Sequence, residues 1–315
     1  MHFLLNNSTD PYYNMAFDQA VLEQGPAELV FYLWRNEPAV IIGRNQNAYA
    51  EVNLPFLEAN GIALVRRITG GGAVYHDLGN LNYSIVGPTR CFESERPAVI
   101  AEALRSMGIP AELGGRNDIF VDGRKCSGYA RRLWKDRTMI HGTLMFSVDL
   151  EQLVQALAVP GSKVSAAGVE SVRSRVANLR DYVDTSMEQF TQKLHTLLSN
   201  GDTLCHFGRA QQAEKSPLID DTRFRSWEWN YGKSPEASFS KTRKFPCGTV
   251  TVSYSIVHGC LHNVRFSGDF IGSADVSVLE KRLEGVPLSP DLLQDTQTFF
   301  DGVSPDDLTA FLRNC

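Results

Sequence analysis

A chain of 315 residues, 43% of them apolar and 21% charged, has room for one large domain and a smaller one with ample core. Its formal net charge of −5 argues against bulk nucleic-acid binding, because neutralising phosphates favours a basic balance, yet leaves room for a local basic pocket. No stretch is apolar enough to span a membrane, residues 1–10 lack a charged-then-apolar leader, and the six cysteines form no CxxC pair, so a cytoplasmic protein with reduced thiols is expected.

Residues 2–5 read as a first strand, and Asp10-Pro11 ahead of Ala16, Val21 and Leu22 as the capped start of a helix. Two strands, 29–34 and 39–43, flank a turn at 36–38. A short helix over 54–60 ends at Gly61, and a strand over 62–65 feeds the run Gly70-Gly71-Gly72. The sheet continues at 81–86, a helix covers 97–107, and 118–121, 125–133 and 139–148 follow as neighbouring strands. A helix is expected over 186–198. Residues 227–244, with a glycine, a proline, three serines and four basic residues, read as an exit segment. Next, 249–256 and 261–266 alternate as a hairpin around His258-Gly259, before helices over 276–283, 290–300 and 305–312. No internal repeat or low-complexity tract interrupts the pattern. The class is α+β, since the strands are too clustered for a doubly wound parallel sheet, with a large domain over 1–240 and a small α+β domain over 241–315.

Residues 66–82, RRITGGGAVYHDLGNLN, constrain the chemistry most tightly. Three residues without Cβ let a backbone approach a ligand closely, and successive N–H groups in such a turn form a concave nest for anionic oxygens. A bare glycine triplet serves as well for a sharp hairpin turn. Arg66, Arg67, His76, Asp77 and Asn80 around it favour a phosphate or carboxylate cradle with an arginine fork beside it.

A second motif runs from Asn117 to Gly128. Its Asp122-Gly123 is a tight hairpin signal that sets Asp118 and Lys125 on adjacent antiparallel strands. A lysine held there places one ammonium between a carboxylate and a phosphate; the ordinary alternative is a solvated hairpin lysine. A third motif, 168–178, carries Arg173 and Arg175 in a weakly patterned stretch that reads as a lid or as a basic surface loop. His258, Cys260 and His262 share the spacing of one strand face, but the turn at His258-Gly259 breaks that face, so no protein metal site is expected.

Jointly these motifs resemble those of the lipoate–protein ligases, within the biotin/lipoate ligase superfamily. The matching segments are RRITGGGAVYHDLGN, GRNDIFVDGRKCSGYA, HGTL at 141–144, SVRSRVANL and WEWNYG at 227–232. They span the large domain, and the small one fits the two-domain bacterial layout. The resemblance implies a large mixed-sheet catalytic domain over 1–240 and an accessory domain over 241–315. It implies that lipoate and ATP, with Mg²⁺, give lipoyl-AMP. The lipoyl group then passes to a lysine on the lipoyl domain of a 2-oxoacid dehydrogenase E2 subunit, or on the glycine-cleavage H protein. Neither nucleic acid nor membrane is implied as a partner.

By motif position, Lys125 matches the family's lysine that contacts both carboxylate and α-phosphate. Arg67 and Gly72-Ala73-Val74-Tyr75 match the nucleotide and lipoyl-adenylate loop, which Gly70 and Gly71 complete. His76, Asn80, Asn117 and Asp118 are expected to line the same pocket, and 171–178 to order over the adenylate. Where many members carry SGSA, this chain has Ser127-Gly128-Tyr129-Ala130, so Tyr129 either narrows the acyl channel or faces outward. The alternative on the same fold is a transferase fed with preformed acyl-AMP or an acyl-carrier thioester. A cysteine thioester would call on Cys126, which follows Lys125 on a strand and should therefore point to the opposite face as a small core residue.

Overall fold

The computed structural model describes residues 2–92, 97–114, 118–157, 174–199, 219–272, 274–289, 293 and 299–313. Asp10 accepts hydrogen bonds from the N–H groups of Tyr12 (2.9 Å) and Tyr13 (3.3 Å), and Pro11 opens the helix where no donor is needed. Helix α1 (Pro11–Gln24) therefore begins where the sequence indicates. It buries Met15, Phe17 and Leu22 but also Asn14 and Asp18, two polar side chains that must find partners in the interior.

Asn14 finds them in the segments that follow the first two strands, and Asp18 on a seven-stranded mixed sheet. Its order is β1 (His2–Leu5), β2 (Val30–Trp34), β6 (Asn80–Pro88), β10 (Arg137–Met145), β9 (Arg124–Trp134), β8 (Asp118–Val121), β7 (Ala111–Gly114). Only β1 and β2 pair in parallel; the remaining neighbours are antiparallel. The two-residue period of the strands sorts side chains between two faces. Phe31, Leu33, Tyr83, Ile85, Ile140 and Leu144 join the core that α4 (Pro97–Ser106) and α6 (Met187–Ser199) cover through Ile100, Leu104, Phe190 and Leu194. Each large side chain taken from water here contributes about 1.5–3 kcal/mol. Tyr32, Trp34, Ser84 and His141 take the other face, toward α1, and there the polar chemistry collects.

Residues 29–34 and 39–43 both form strands, yet they do not pair. β2 enters the large sheet, whereas β3 (Ala39–Ile42) lies between β4 (Ala63–Arg66) and β5 (Val74–His76) in a separate three-stranded sheet. Strand β7, the short helix α2 (Ala48–Glu51) and α5 (Leu150–Ala156) have no counterpart in the sequence reading; α3 (Leu54–Ala59) does.

The segment 227–244 is not an exit linker. One turn of π-helix, Glu228–Gly232, leads into β11 (Ala237–Phe245), which pairs along its whole length with β12 (Gly248–Val257). The serines that suggested a linker form a hydroxyl ladder across that pair: Ser238 to Ser255 at 3.2 Å, Ser240 to Ser253 at 3.1 Å and Thr242 to Thr251 at 2.8 Å. Residue 240 thus falls inside a strand. β12 turns through His258 (φ 50°) and Gly259 (φ 78°) into β13 (Cys260–Gly268), the hairpin the sequence indicates. Helices α8 (Val276–Leu283) and α9 (Pro305–Arg313) follow; most of the expected 290–300 helix lies outside the described residues.

The chain folds into two compact units. The larger takes Met1–Arg44, Val65–Val154 and Val164–Phe224, and the other takes Asn45–Leu64, Gln155–Lys163 and Arg225–Cys315. Within the second, Asn47 Nδ2 donates to the Pro235 carbonyl (2.7 Å), the Tyr49 hydroxyl to the Gly259 carbonyl (3.2 Å), and Arg313 pairs with Glu58. These bonds explain why 45–64 joins chain so distant in sequence. Among the described residues, no helix is long and apolar enough to cross a membrane.

Candidate active site

The β8–β9 hairpin turns through Asp122 (φ 50°) and Gly123 (φ 71°), a left-handed pair that suits a tight hairpin. Its ladder holds a bulge: Ile119 faces Ser127 and Phe120 faces Lys125, leaving Cys126 as the extra residue. Lys125 is thereby aimed at Asp118, with its ammonium 2.7 Å from Asp118 Oδ1. The lysine side chain is 43% exposed, so the pair contributes about 0–1 kcal/mol to stability. Placement is its purpose. Gly128 makes the placement possible, because a Cβ there would stand 3.1 Å from Lys125 Cε and Nζ and 3.3 Å from Asp118 Oδ1.

The Lys125 backbone is tied as well. Its N–H donates to the Arg175 carbonyl (2.8 Å), and its carbonyl accepts from the Ala177 N–H (2.9 Å). The end of the motif expected to act as a lid is thus stitched to the lysine strand, while 168–173, with Arg173, lie outside the described residues, as does Asn117.

Arg67, expected to add a fork beside the cradle, turns that fork onto main-chain carbonyls. Its Nε and Nη2 donate to the Gly70 carbonyl at 3.1 and 2.7 Å, Nη2 also to Gly72 O at 2.8 Å, and Nη1 to Ile41 O at 3.1 Å. The buried guanidinium is the internal brace of the glycine turn, and desolvation lowers its pKa to about 10. Arg66 braces from the other side, through the Gly43 and Arg44 carbonyls. Of the three glycines only Gly71 needs its residue type for conformation, with φ 93° and an added Cβ 2.8 Å from Arg67 Nη2. Around Gly70 and Gly72 there is open space within 4 Å of that position.

Lysine and glycine turn share one half-open cleft of about 660 Å³. Arg67, Gly71, Gly72, Ala73, Val74, His76 and Lys125 line it, as expected. Tyr75 does not, because β5 alternates and carries Val74 and His76 on the cleft side. Gly70 lies next to the lining residues in open space, whereas Asn80 is buried; Asn80 Nδ2 donates to Asn82 Oδ1 (2.9 Å), and Asn82 lines the cleft. Asp118 reaches the cleft through Lys125. Tyr129 is among the residues of the wall and is also packed against the core cluster.

The inner wall holds a network that motif reading missed. Asp18 on α1 is fully buried and accepts from the Tyr32 hydroxyl and from Ser84 Oγ (2.9 Å), and its other oxygen meets His141 Nδ1 at 2.6 Å. His141 Nε2 then meets the Thr69 hydroxyl at 2.7 Å, one residue before the glycines. The available signal was a polar residue at each of 14 and 18, one turn apart on the face that carries Pro11, Met15, Val21 and Leu22. His76 is also buried, edge-on to Trp34, and desolvation, then the charges of Arg67 and His141, lower its pKa to about 3. Cys126 is wholly buried, its Sγ lies 3.4 Å from the Ile119 carbonyl, and burial pushes its pKa up to about 12. A thiol in that state is a core residue and no nucleophile.

Residues 10–199 match the family model of the lipoyl protein ligase A/B catalytic domain. The chain belongs to the lipoate–protein ligase family. Residues 234–312 of this family member match the model of the bacterial lipoate protein ligase C-terminus. It is 37% identical to lipoate-protein ligase LplJ of Bacillus subtilis, over 92% of this chain and 91% of that one. It is 38% identical to lipoate–protein ligase 1 of Staphylococcus aureus, over 90% of each. Among solved structures, the bipartite lipoate protein ligase of Thermoplasma acidophilum, described with its E2 lipoyl domain, superposes with a TM-score of 0.65 at 31% identity, covering 74% of this chain and 97% of that one. A lipoate-protein ligase A bound with ATP gives 0.62 at 30%, covering 74% and 98%. A T. acidophilum protein with bound lipoic acid gives 0.61 at 29%, covering 73% and 98%. Mixed large sheet and small three-stranded sheet are those of the family.

Proposed function

We propose that this lipoate–protein ligase activates lipoate with ATP at the Lys125 end of the cleft and passes the lipoyl group to a lysine of a lipoyl domain. One observation carries the placement: the Lys125 ammonium, held over Gly128 by Asp118, opens onto the same cleft as the glycine turn. Both reactants are anions, so a fixed cation between them lowers the cost of bringing carboxylate oxygen to phosphorus. That oxygen attacks the α-phosphorus, pyrophosphate leaves, and a mixed anhydride remains. Open backbone at Gly70 and Gly72 suits close approach of phosphate oxygens, with Arg67 holding the turn in shape. The acceptor amine loses its proton to Asp118 and attacks the acyl carbon, and AMP departs.

Among the described residues no three His, Cys, Asp or Glu side chains gather as a metal site. Mg²⁺ brought in with ATP would supply charge neutralisation beside Lys125. We assign the reacting chemistry to the 1–240 domain and an accessory role to the 241–315 domain, in a cytoplasmic enzyme. Lipoyl domains of 2-oxoacid dehydrogenase E2 subunits and the glycine-cleavage H protein are the proposed acceptors. The ATP-bound and lipoic-acid-bound relatives, and the relative described with its E2 lipoyl domain, support this reading. The test is pyrophosphate release that needs lipoate and ATP, measured with and without an apo lipoyl domain. Modification that occurs only with supplied lipoyl-AMP or an acyl-carrier thioester would replace the ligase by a transferase.

A further inference from the structure

We infer that His76 is a neutral hydrogen-bond donor at the tail end of the cleft, and that it favours the sulfur-bearing ring of lipoate over the terminal methyl of a straight eight-carbon acid. The inference rests on the ligase reading above and adds to it a residue that selects the acyl group.

The tautomer follows from a chain of buried amides. Asn14 Nδ2 lies 3.0 Å from the Ser8 carbonyl and 2.9 Å from the Arg35 carbonyl, so two acceptors require a nitrogen at that position. The same nitrogen lies 2.7 Å from Asn36; it shares its two hydrogens among three neighbours and cannot accept, so the atom it meets is Asn36 Oδ1. Asn36 Nδ2 then donates to His76 Nδ1 at 3.0 Å. With Nδ1 accepting, the ring proton sits on Nε2. Asn14 (1% exposed) and Asn36 (0%) are positioning residues, fixed by backbone carbonyls and closed to water. Nε2 itself is buried and finds no partner among the described residues, while His76 lines the cleft. Burial and the neighbouring Arg67 and His141 keep the ring uncharged at neutral pH.

The cleft has two unlike ends. Lys125 is half-exposed, whereas Met15, Trp34, His76 and Asn82 on the wall are all buried. Carboxylate chemistry must occur at the lysine end, where nucleotide can enter, so the hydrocarbon tail runs toward the buried end. That end is not a plain hydrocarbon sleeve: besides His76 Nε2, Asn82 Nδ2 is buried without a partner among the described residues. A terminal methyl leaves such donors unpaired, whereas ring sulfurs accept from them weakly. Sites built around a substrate acceptor discriminate against the analogue that lacks it.

The experiment measures kcat/KM for pyrophosphate release by the full chain with lipoate and with octanoate. His76→Phe keeps a ring and removes the donor; His76→Gln keeps a donor. The expected result is a roughly three- to tenfold fall in the lipoate-to-octanoate ratio of kcat/KM in His76→Phe, with partial recovery of that ratio in His76→Gln. Equal losses on both acids would show a purely structural role and overturn the inference, as would an unchanged ratio. Nitrogen-15 NMR of the wild-type imidazole decides the tautomer without any variant, and a proton on Nδ1 also overturns it. If the wild type turns over neither acid, the ligase reading falls, and the spectrum still judges the tautomer.

Discussion

Lys125 Nζ stands 2.7 Å from Asp118 Oδ1 across a bulged hairpin, and the missing Cβ of Gly128 leaves the room in which the two meet. Strand pairing, a bulge and a missing Cβ together aim one ammonium into the cleft. Because the pair is solvent-accessible, its removal should damage chemistry far more than folding.

Lys125→Ala is expected to lower adenylate formation by about 10²-fold or more, the scale of a lost preorganised charge contact. Its melting temperature should match the wild type to within a few degrees. Pyrophosphate release and thermal unfolding check both halves. An unfolded variant, or undiminished adenylation, would remove Lys125 from its assigned role.

Gly128→Ala adds a methyl 3.1 Å from Lys125 Nζ and Cε, the far end of a flexible side chain. The ammonium moves and the strand stays, so stability should change by less than about 1 kcal/mol. Adenylation should fall on the order of tenfold, as expected for a displaced positioning contact. Wild-type turnover by this variant would mean that the placement of the ammonium does not matter.

The glycine turn makes a sharper comparison. Gly71→Ala forces a side chain into φ 93° and against Arg67 Nη2, so a loss of about 1–3 kcal/mol is expected in chemical denaturation. Gly70→Ala and Gly72→Ala meet nothing within 4 Å and should leave stability within about 0.5 kcal/mol. A raised KM for ATP in these two stable variants would therefore report ligand contact. An unchanged KM in both would argue that phosphate does not approach this backbone.

His76 also writes a signature into acid stability. Its pKa is about 3 in the fold against about 6.5 in an unfolded chain. Between those values the unfolded state binds a proton that the native state refuses, so the contribution of the neutral ring is complete above pH 6.5 and is lost as pH falls toward 3. Relative to His76→Phe, the wild type should lose on the order of 2–3 kcal/mol between pH 7 and pH 4. Denaturant midpoints at both pH values test this, and a difference independent of pH would contradict it.

Cys126→Ala should retain ligase activity to within about twofold and lose roughly 1 kcal/mol of stability through a small cavity. Thiol-directed alkylation of the native protein should leave turnover intact. Inactivation that follows Cys126 modification stoichiometrically would revive a thioester mechanism.

Local chemistry was legible in the chain. Asp10-Pro11 capped its helix, and Asp122-Gly123 and His258-Gly259 made their hairpins, because capping and left-handed turns depend on residues only a few positions apart. Cys126 is buried while Lys125 stays half-exposed, as expected, but a bulge at Cys126 separates them in place of plain alternation. The glycine run with Lys125 and Asp118 was legible for the same reason, since short spacing and residue type carry the chemistry. Tertiary structure alone decided which elements meet. It sent β3 away from β2, turned a serine-rich stretch into β11, and drew 45–64 into the second unit. It also turned the Arg67 fork inward, because a buried guanidinium takes the nearest carbonyls. Asp18 and Asn36 were silent in the sequence, and His141 entered only as part of a family segment, since each acquires its role from partners distant in the chain and from the exclusion of water around them. A buried polar residue means nothing until the fold supplies its partner and removes the solvent that would otherwise satisfy it.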